Sequence, residues 1–151
     1  MGSIHKEEDD MALLGEKDIK EISKIFEKLK EPVKIIMFTQ DFECPYCGTT
    51  RELLEELSKL SEKLTLEVYD FVKDKAKADA FGIDKIPAVV LMGERDYGIR
   101  FYGIPAGYEF SSLLDDIVDV SNRNPGLPEK VLDELAKVDK PVHLQVMVTP
   151  T

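Results

Sequence analysis

Two short apolar segments with an amphipathic segment between them constrain the fold more than any other feature of the sequence. Residues 33–39 form a nearly continuous apolar run with β-branched and aromatic members, typical of a strand buried on both faces. A helical stripe of leucines follows from Pro45 onward, and residues 64–72 have the pattern of the next strand. Because parallel strands need a long crossover connection, this order predicts a parallel βαβ unit with a right-handed crossover.

The remaining segments complete a four-stranded sheet. A helix is predicted at 16–30, a shorter one at 74–81 with Gly82 as its left-handed C-cap, and another around Phe110 to Val118. Pro87 precedes an apolar strand at 88–92, which should form an antiparallel hairpin with 97–102. The predicted fold class is α/β, a four-stranded mixed sheet flanked by helices on both faces, and this pattern resembles a thioredoxin-like architecture.

The predicted boundaries are a flexible N-terminus at 1–15, a domain at 16–122, and a further part at 123–151. This last part has an Asn-, Pro- and Gly-rich linker, a helix opened by Pro128 and an apolar strand at 142–149, and it repeats the order of residues 22–39 after about 110 residues. We interpret it as the linker, helix and first strand of a truncated second unit. That strand should join a sheet edge, exchange with a neighbour or lie disordered. The helix should turn four apolar side chains inward: Val131, Leu132, Leu135 and Val138.

Charge and composition exclude several classes of function. The formal net charge of -10 repels phosphate backbones and anionic lipid, which disfavours nucleic-acid and membrane-surface binding. No apolar run is long enough to span a bilayer, and no signal core is present, so we expect a cytoplasmic protein. Abundant Lys and Glu with few amides are typical of a protein from a thermophile.

The only two cysteines, Cys44 and Cys47, lie directly after the first predicted strand. Cysteines three residues apart share one face of a helix, and Pro45 suits the first helical position. Cys44 would then lie at a helix N-terminus, where free N–H groups and the helix dipole favour a thiolate. The sequence therefore predicts a redox-active dithiol in which Cys44 attacks and Cys47 resolves.

Carboxylates beside the cysteines affect the expected pKa of the attacking thiol. Asp41 and Glu43 should raise it, opposing the helix dipole, unless Lys85 or Arg51 approaches. We therefore predict a moderately acidic Cys44, with Asp41, Glu43 and Lys85 as pKa-tuning residues. Either carboxylate could also relay protons to the resolving thiol, or simply favour the start of the helix.

Two other interpretations of the cysteine pair remain open from the residues alone. The pair could be an inert couple one helical turn apart, or half of a zinc site. Zinc takes four ligands, and the only histidines, His5 and His143, are far from the cysteines in sequence, so a zinc site would need a dimer that joins two pairs.

Cys44-Pro45-Tyr46-Cys47 is the glutaredoxin-type active-site quartet, and Ile86-Pro87 resembles the cis-proline element that faces this quartet in thioredoxin folds. More broadly, the chain resembles the two-unit protein disulfide oxidoreductases of thermophilic prokaryotes, also called glutaredoxin-like proteins. The resemblance implies thiol–disulfide exchange on protein substrates. The second C-x-x-C of that family and the Gly-Gly element of glutaredoxins are absent from this sequence. The stretches that carry the resemblance are residues 44–47, 83–88, 98–110, 115–121 and 146–151.

The resemblance also implies a substrate-binding surface made of Pro45, Tyr46, Ile86 and Pro87. If the bond before Pro87 is cis, the backbone of Ile86 should pair with an extended substrate segment, whereas a trans proline would merely start a strand. Tyr46 would be a hydrophobic contact at the rim of the site, or simply an exposed aromatic residue.

The main predicted function is therefore that of a protein-disulfide oxidoreductase with no cofactor beyond its own redox-active disulfide. One alternative is an electron-relay module that passes reducing equivalents from a flavoprotein to a peroxidase, as the thioredoxin-like domains of peroxiredoxin reductases do. Another is a noncatalytic zinc or interaction module. The expected partners are protein disulfides or dithiols, a flavoprotein similar to thioredoxin reductase, and the missing second unit.

Overall fold

The structure is a computed structural model that describes residues 12–149. Of the predicted flexible N-terminus, residues 1–11 lie outside this range. The chain forms nine elements within the described range, and none of these helices is long and apolar enough to cross a membrane. The elements are α1 Glu16–Phe26, β1 Val33–Thr39, α2 Cys47–Ser58, β2 Leu64–Asp70, α3 Lys75–Ala80, β3 Ala88–Met92, β4 Asp96–Tyr102, α4 Tyr108–Asn122 and α5 Glu129–Leu135.

The four strands form one mixed sheet in the order β2-β1-β3-β4. β1 and β2 are parallel, whereas β3 is antiparallel to both β1 and β4. The predicted βαβ unit and hairpin are therefore confirmed, and the bounds of β1 and β3 agree with the sequence prediction to the residue. Long apolar runs explain this agreement, because both central strands are buried on both faces.

Alternate residues of the central strands enter two separate cores. One face of β1, with Ile35 and Met37, packs with apolar side chains of α1, α2 and α4. The opposite face, with Ile36 and Phe38, packs with Ala78 of α3. The period of two along a strand causes this division, and it leaves helices on both faces of the sheet, as predicted.

The N-terminal end of the described chain is attached to α2. The backbone N–H groups of Leu13 and Leu14 donate to the two carboxylate oxygens of Glu56, at 2.7 and 2.9 Å. Leu14 is buried in the core beneath this contact. The segment just ahead of α1 therefore packs on the helix that carries the cysteines.

The prediction that the apolar side chains of α5 point inward is wrong. No residue of α5 is buried, and Val131, Leu132, Leu135 and Val138 are 40 to 55% exposed. Periodicity shows that a helix has an apolar face, but another element must cover that face, and none does so within residues 12–149.

The strand predicted at 142–149 is also not formed, since residues 141–149 have no regular secondary structure. A strand requires a sheet edge to pair with, and its sequence pattern does not supply one. The assignment of 123–151 to a truncated second unit stays a prediction.

Candidate functional site: the Cys44–Cys47 disulfide

The two cysteines lie where the chain leaves the carboxyl end of β1 and enters α2. Cys44 and Cys47 form a disulfide, with their Cα atoms 5.4 Å apart. The backbone N–H of Cys47 donates to the carbonyl of Cys44 at 3.3 Å, which closes a tight turn around Pro45 and Tyr46.

The helix begins at Cys47, two residues later than predicted from Pro45. Tyr46 has φ -104° and ψ 0°, outside the α-helical region, so the turn precedes the regular helix. Cys44 nevertheless stays at the amino end of α2, toward which the backbone N–H groups of the first helical turn are directed.

The two cysteines differ strongly in exposure. Cys47 is buried, with 1% of its surface exposed, whereas Cys44 is half-buried. An external sulfur atom can therefore approach Cys44 far more easily than Cys47.

A threonine that the sequence analysis did not single out holds the turn in place. Thr50 is fully buried, and its hydroxyl donates to the carbonyl of Tyr46 at 2.7 Å. Its backbone N–H donates to the same carbonyl at 3.0 Å. A Thr three residues after a cysteine is too common to be recognised from sequence.

Pro87 lies beside the same end of the sheet. In the antiparallel pairing of β1 with β3, Phe38 is opposite Ala88, so residue 87 lies next to the end of β1 that leads to the cysteines. The Ile86–Pro87 peptide bond is cis, as predicted. The carbonyl of Pro87 accepts the N–H of Gly103 at 2.9 Å, which joins this loop to the one after β4.

The two cations considered for pKa tuning are engaged elsewhere. Lys85 pairs with Asp84 at 2.7 Å, and this hydrogen bond raises the pKa of Lys85 and lowers that of Asp84. Lys85 also lies 4.6 Å from the centre of the Tyr102 ring. Arg51 pairs with Glu55 one turn along α2, at 2.8 Å. Any tuning of the Cys44 pKa by Lys85 stays a prediction.

Two acidic side chains and Phe42 precede the disulfide in the chain, and a second aromatic side chain, Tyr46, lies in the turn between the two cysteines. Phe42 is 67% exposed and Tyr46 is 56% exposed, and both Asp41 and Glu43 are exposed. Glu43 has a left-handed backbone with φ 57°, while the side-chain amide of Gln40 donates to the carbonyl of Phe42 at 2.7 Å. Phe42 and Gln40 were not predicted as site residues, although an aromatic residue between two carboxylates is visible in the sequence.

A cavity of about 320 Å³ opens between α2, the N-terminal segment and the loop after β4. The residues that line the cavity are mainly apolar and include Leu13, Leu53, Ile104, Pro105 and Phe110. Neither cysteine lines it.

No group of three or more His, Cys, Asp or Glu residues within 12–149 is placed to hold a metal ion.

No protein-family model matches the chain. Among curated proteins, it is 31% identical over 101 residues to the F component of alkyl hydroperoxide reductase from Staphylococcus epidermidis, an alignment that covers 67% of this chain and 18% of that protein. The chain thus spans less than a fifth of the length of the curated relatives it matches.

The fold of this chain is similar to the folds of two solved structures. The NTD_N/C domain of alkylhydroperoxide reductase AhpF from Enterococcus faecalis has a TM-score of 0.74 and 29% identity, covering 81% of this chain and 59% of that one. A protein disulfide oxidoreductase from Aeropyrum pernix has a TM-score of 0.73 and 25% identity, covering 82% and 54%. This chain is a member of the thioredoxin-fold superfamily. The Cys44–Cys47 pair at disulfide distance and these similarities together support the predicted disulfide oxidoreductase activity and, equally, the electron-relay alternative.

Proposed function

We propose that this chain is a thiol–disulfide oxidoreductase that acts on protein disulfides through Cys44 and Cys47. The observation that carries the proposal is a disulfide between a half-buried and a buried cysteine at the amino end of α2. Pro87 lies next to the end of β1 that leads to this disulfide. A structural disulfide would gain nothing from leaving one of its sulfurs accessible, whereas a reactive one requires it.

The proposed reaction transfers two electrons in two displacement steps. The Cys44 thiolate attacks one sulfur of a substrate disulfide, forming a mixed disulfide and expelling the other substrate sulfur as a thiolate that takes up a proton. Cys47 then loses its proton, and its thiolate attacks the Cys44 sulfur. This step releases the second substrate thiolate and leaves Cys44–Cys47 oxidised. The reverse sequence oxidises a substrate dithiol.

The difference in burial supports this order of attack. Because Cys47 is shielded, it reacts mainly within the mixed disulfide, where the attacked sulfur is already next to it. The positive end of the α2 dipole favours the thiolate of Cys44. Asp41, Glu43 and Lys85 would adjust the pKa of that thiol, although Lys85 is already paired with Asp84.

The substrate-binding surface in this proposal includes Pro45, Tyr46, Ile86 and Pro87. Pro45 and Tyr46 are exposed within the turn that carries the sulfurs, and Pro87 lies beside the end of β1. An extended substrate segment would pair with the backbone of Ile86, which holds its cystine against Cys44.

A second candidate function is favoured by the similarity to AhpF. In that role the chain relays reducing equivalents from a thioredoxin-reductase-like flavoprotein to a peroxidase, with the same two sulfurs as carriers and no bound cofactor of its own. A second thioredoxin-like unit, as in the two-unit protein disulfide oxidoreductases, would be a natural partner in either role.

The proposal is tested by insulin reduction with dithiothreitol, followed as turbidity, for the wild type and for Cys44→Ser. Acceleration by the wild type and its loss in Cys44→Ser are expected. Ser112→Ala, an exposed change on α4, is the matched control that should keep full activity. Equal rates for the wild type and Cys44→Ser would refute the proposal. A reductase-coupled peroxidase assay then separates the relay function from direct reduction of proteins.

A further inference from the structure

We propose that Asp41, Phe42 and Glu43 form a specificity rim that selects cystines flanked by basic and apolar side chains in extended segments of partner proteins. This inference rests on the proposed function, because it names which protein disulfides the Cys44–Cys47 pair reduces. The rim residues directly precede the attacking cysteine and are exposed, so they are available to contact a polypeptide bound there for exchange.

The backbone of the rim has a fixed, unusual conformation. Glu43 has φ 57°, a left-handed conformation that a residue with a long side chain rarely adopts. The Gln40 side chain donates to the carbonyl of Phe42 at 2.7 Å and closes the loop on itself. Strained residues of this kind persist where the surrounding structure over-determines them, and they concentrate at functional sites.

The exposure of Phe42 defines the apolar part of the rim. Phe42 is 67% exposed, whereas apolar residues close to it in sequence, such as Phe38 at 0%, are buried against the faces of the sheet. Tyr46, 56% exposed, lies on the other side of Cys44 along the chain. Two aromatic side chains on either side of the attacking sulfur offer contact to an apolar side chain of the substrate.

Charge complementarity defines the other part of the partner. Asp41 and Glu43 are exposed, and neither forms a salt bridge within residues 12–149. Lys85 and Arg51, the cations closest to the site in the sequence prediction, are paired with Asp84 and Glu55. The two carboxylates beside the attacking cysteine therefore attract a basic substrate segment and repel an acidic one.

The test uses three cystine peptides of the same length, with Lys and Leu, Glu and Leu, or Lys and Gly beside each cysteine, and 2-hydroxyethyl disulfide as a small neutral substrate. The fully reduced protein is mixed with each substrate, and the second-order rate constant is measured by stopped flow. At low ionic strength the Lys-Leu peptide should react about tenfold faster than the Glu-Leu peptide, from attraction in one case and repulsion in the other. In about 0.5 M salt the ratio should fall below about twofold, because exposed charges are then screened over a few ångströms.

Variants separate charge selection from a change in the thiol pKa. A pKa change would alter the rates of both charged peptides together, so the Lys-Leu to Glu-Leu ratio is the decisive readout. In Asp41→Asn/Glu43→Gln this ratio should fall to about 2 or less, the range left by screened surface charges. The matched control is Glu31→Gln/Asp119→Asn, which changes the net charge equally. Glu31 precedes β1, and the seven residues of this strand separate it by about 23 Å from the end of β1 that leads to the cysteines.

The apolar contact is tested at Phe42. Phe42→Ser should lower the ratio of Lys-Leu to Lys-Gly rates by about fivefold, and Phe42→Leu should retain most of it, because partial burial of a large apolar side chain is lost only in the first variant. Thermal unfolding checks that both variants remain folded.

The outcomes distinguish the inference from the proposed function. No reaction of the wild type with any disulfide, including the small one, would refute the proposed function. Reaction with the small disulfide but equal rates for the charged peptides, or a ratio that Asp41→Asn/Glu43→Gln leaves unchanged, would overturn the specificity rim alone.

Discussion

Ser121 on α4 is expected to be one of the most important polar residues for stability. It is fully buried, and its hydroxyl oxygen accepts the backbone N–H groups of Lys30 at 2.9 Å and Glu31 at 3.0 Å. The same hydroxyl donates to the carbonyl of Glu31 at 2.6 Å. One side chain therefore satisfies three backbone groups in the segment that leads into β1, ninety residues earlier in the chain.

The change Ser121→Ala removes all three bonds and creates almost no new space. Lys30 and Glu31 are exposed, so water can reach their backbone groups in part, and each lost hydrogen bond costs about 1 kcal/mol; the total loss for three bonds is about 3 kcal/mol. A domain of this size has a free energy of unfolding of about 5–15 kcal/mol. With a urea m-value of about 2 kcal/mol/M, the unfolding midpoint should fall by about 1.5 M.

The measurement is urea unfolding of the oxidised protein at neutral pH, followed by circular dichroism. Ser112→Ala is the control on the same helix, because the Ser112 hydroxyl is exposed and makes only a long 3.4 Å contact with the carbonyl of Tyr108. We expect a change below about 0.5 kcal/mol for this control. A loss below about 1 kcal/mol for Ser121→Ala, well short of the cost expected from three lost hydrogen bonds, would refute the reasoning.

Three further changes test other parts of the structure. Cys47→Ser removes the resolving thiol, so a mixed disulfide between Cys44 and a substrate should accumulate and be visible by mass spectrometry; free release of product would contradict the assigned roles. Asp96→Asn should cost about 1 kcal/mol at neutral pH, because the hydrogen bond from Arg100 lowers the pKa of Asp96. Because the pKa of Asp96 is lower in the folded state, the carboxylate stabilises the fold above the unfolded-state pKa of about 3.9, and this stabilisation is lost as the pH falls through the folded-state pKa. The urea unfolding midpoints of the variant and the wild type should therefore converge in acid. Gly82→Ala should cost about 1 kcal/mol in the same assay, because residue 82 has φ +67°, although a Cβ there meets no atom within 4 Å; an unchanged midpoint would argue against a backbone cause.

Much of the candidate site was predictable because its parts are close in sequence. The cysteine pair, the preceding strand and the proline ahead of β3 each have a local signature, and all three are confirmed as structural features. The start of α2 was misplaced by two residues, because Pro45 suits a helix start but the tight turn between Cys44 and Cys47 takes precedence. Helix ends depend on a balance of local hydrogen bonds that pattern alone does not resolve.

Other features of the site follow no local pattern in the sequence. Phe42 was not recognised, because an exposed aromatic residue in a loop belongs to no periodic pattern. The pKa-tuning role predicted for Lys85 stays a prediction, and the structure adds that Lys85 pairs with its own neighbour Asp84. A long flexible cation can reach several carboxylates, and the sequence does not show which is nearest.

By itself, the sequence determined the elements and their order, since apolar runs and helical stripes report which faces of each segment avoid water. It also predicted a redox-active dithiol, because the only two cysteines lie three residues apart after a predicted buried strand. The burial of Cys47 agrees with the predicted order of attack, whereas only the tertiary structure decided that Ser121 supports the entry to β1. It also decided that the apolar face of α5 stays uncovered within the described residues. The physical reason is that burial has a local period along the chain, whereas partners are chosen by packing between segments far apart in sequence.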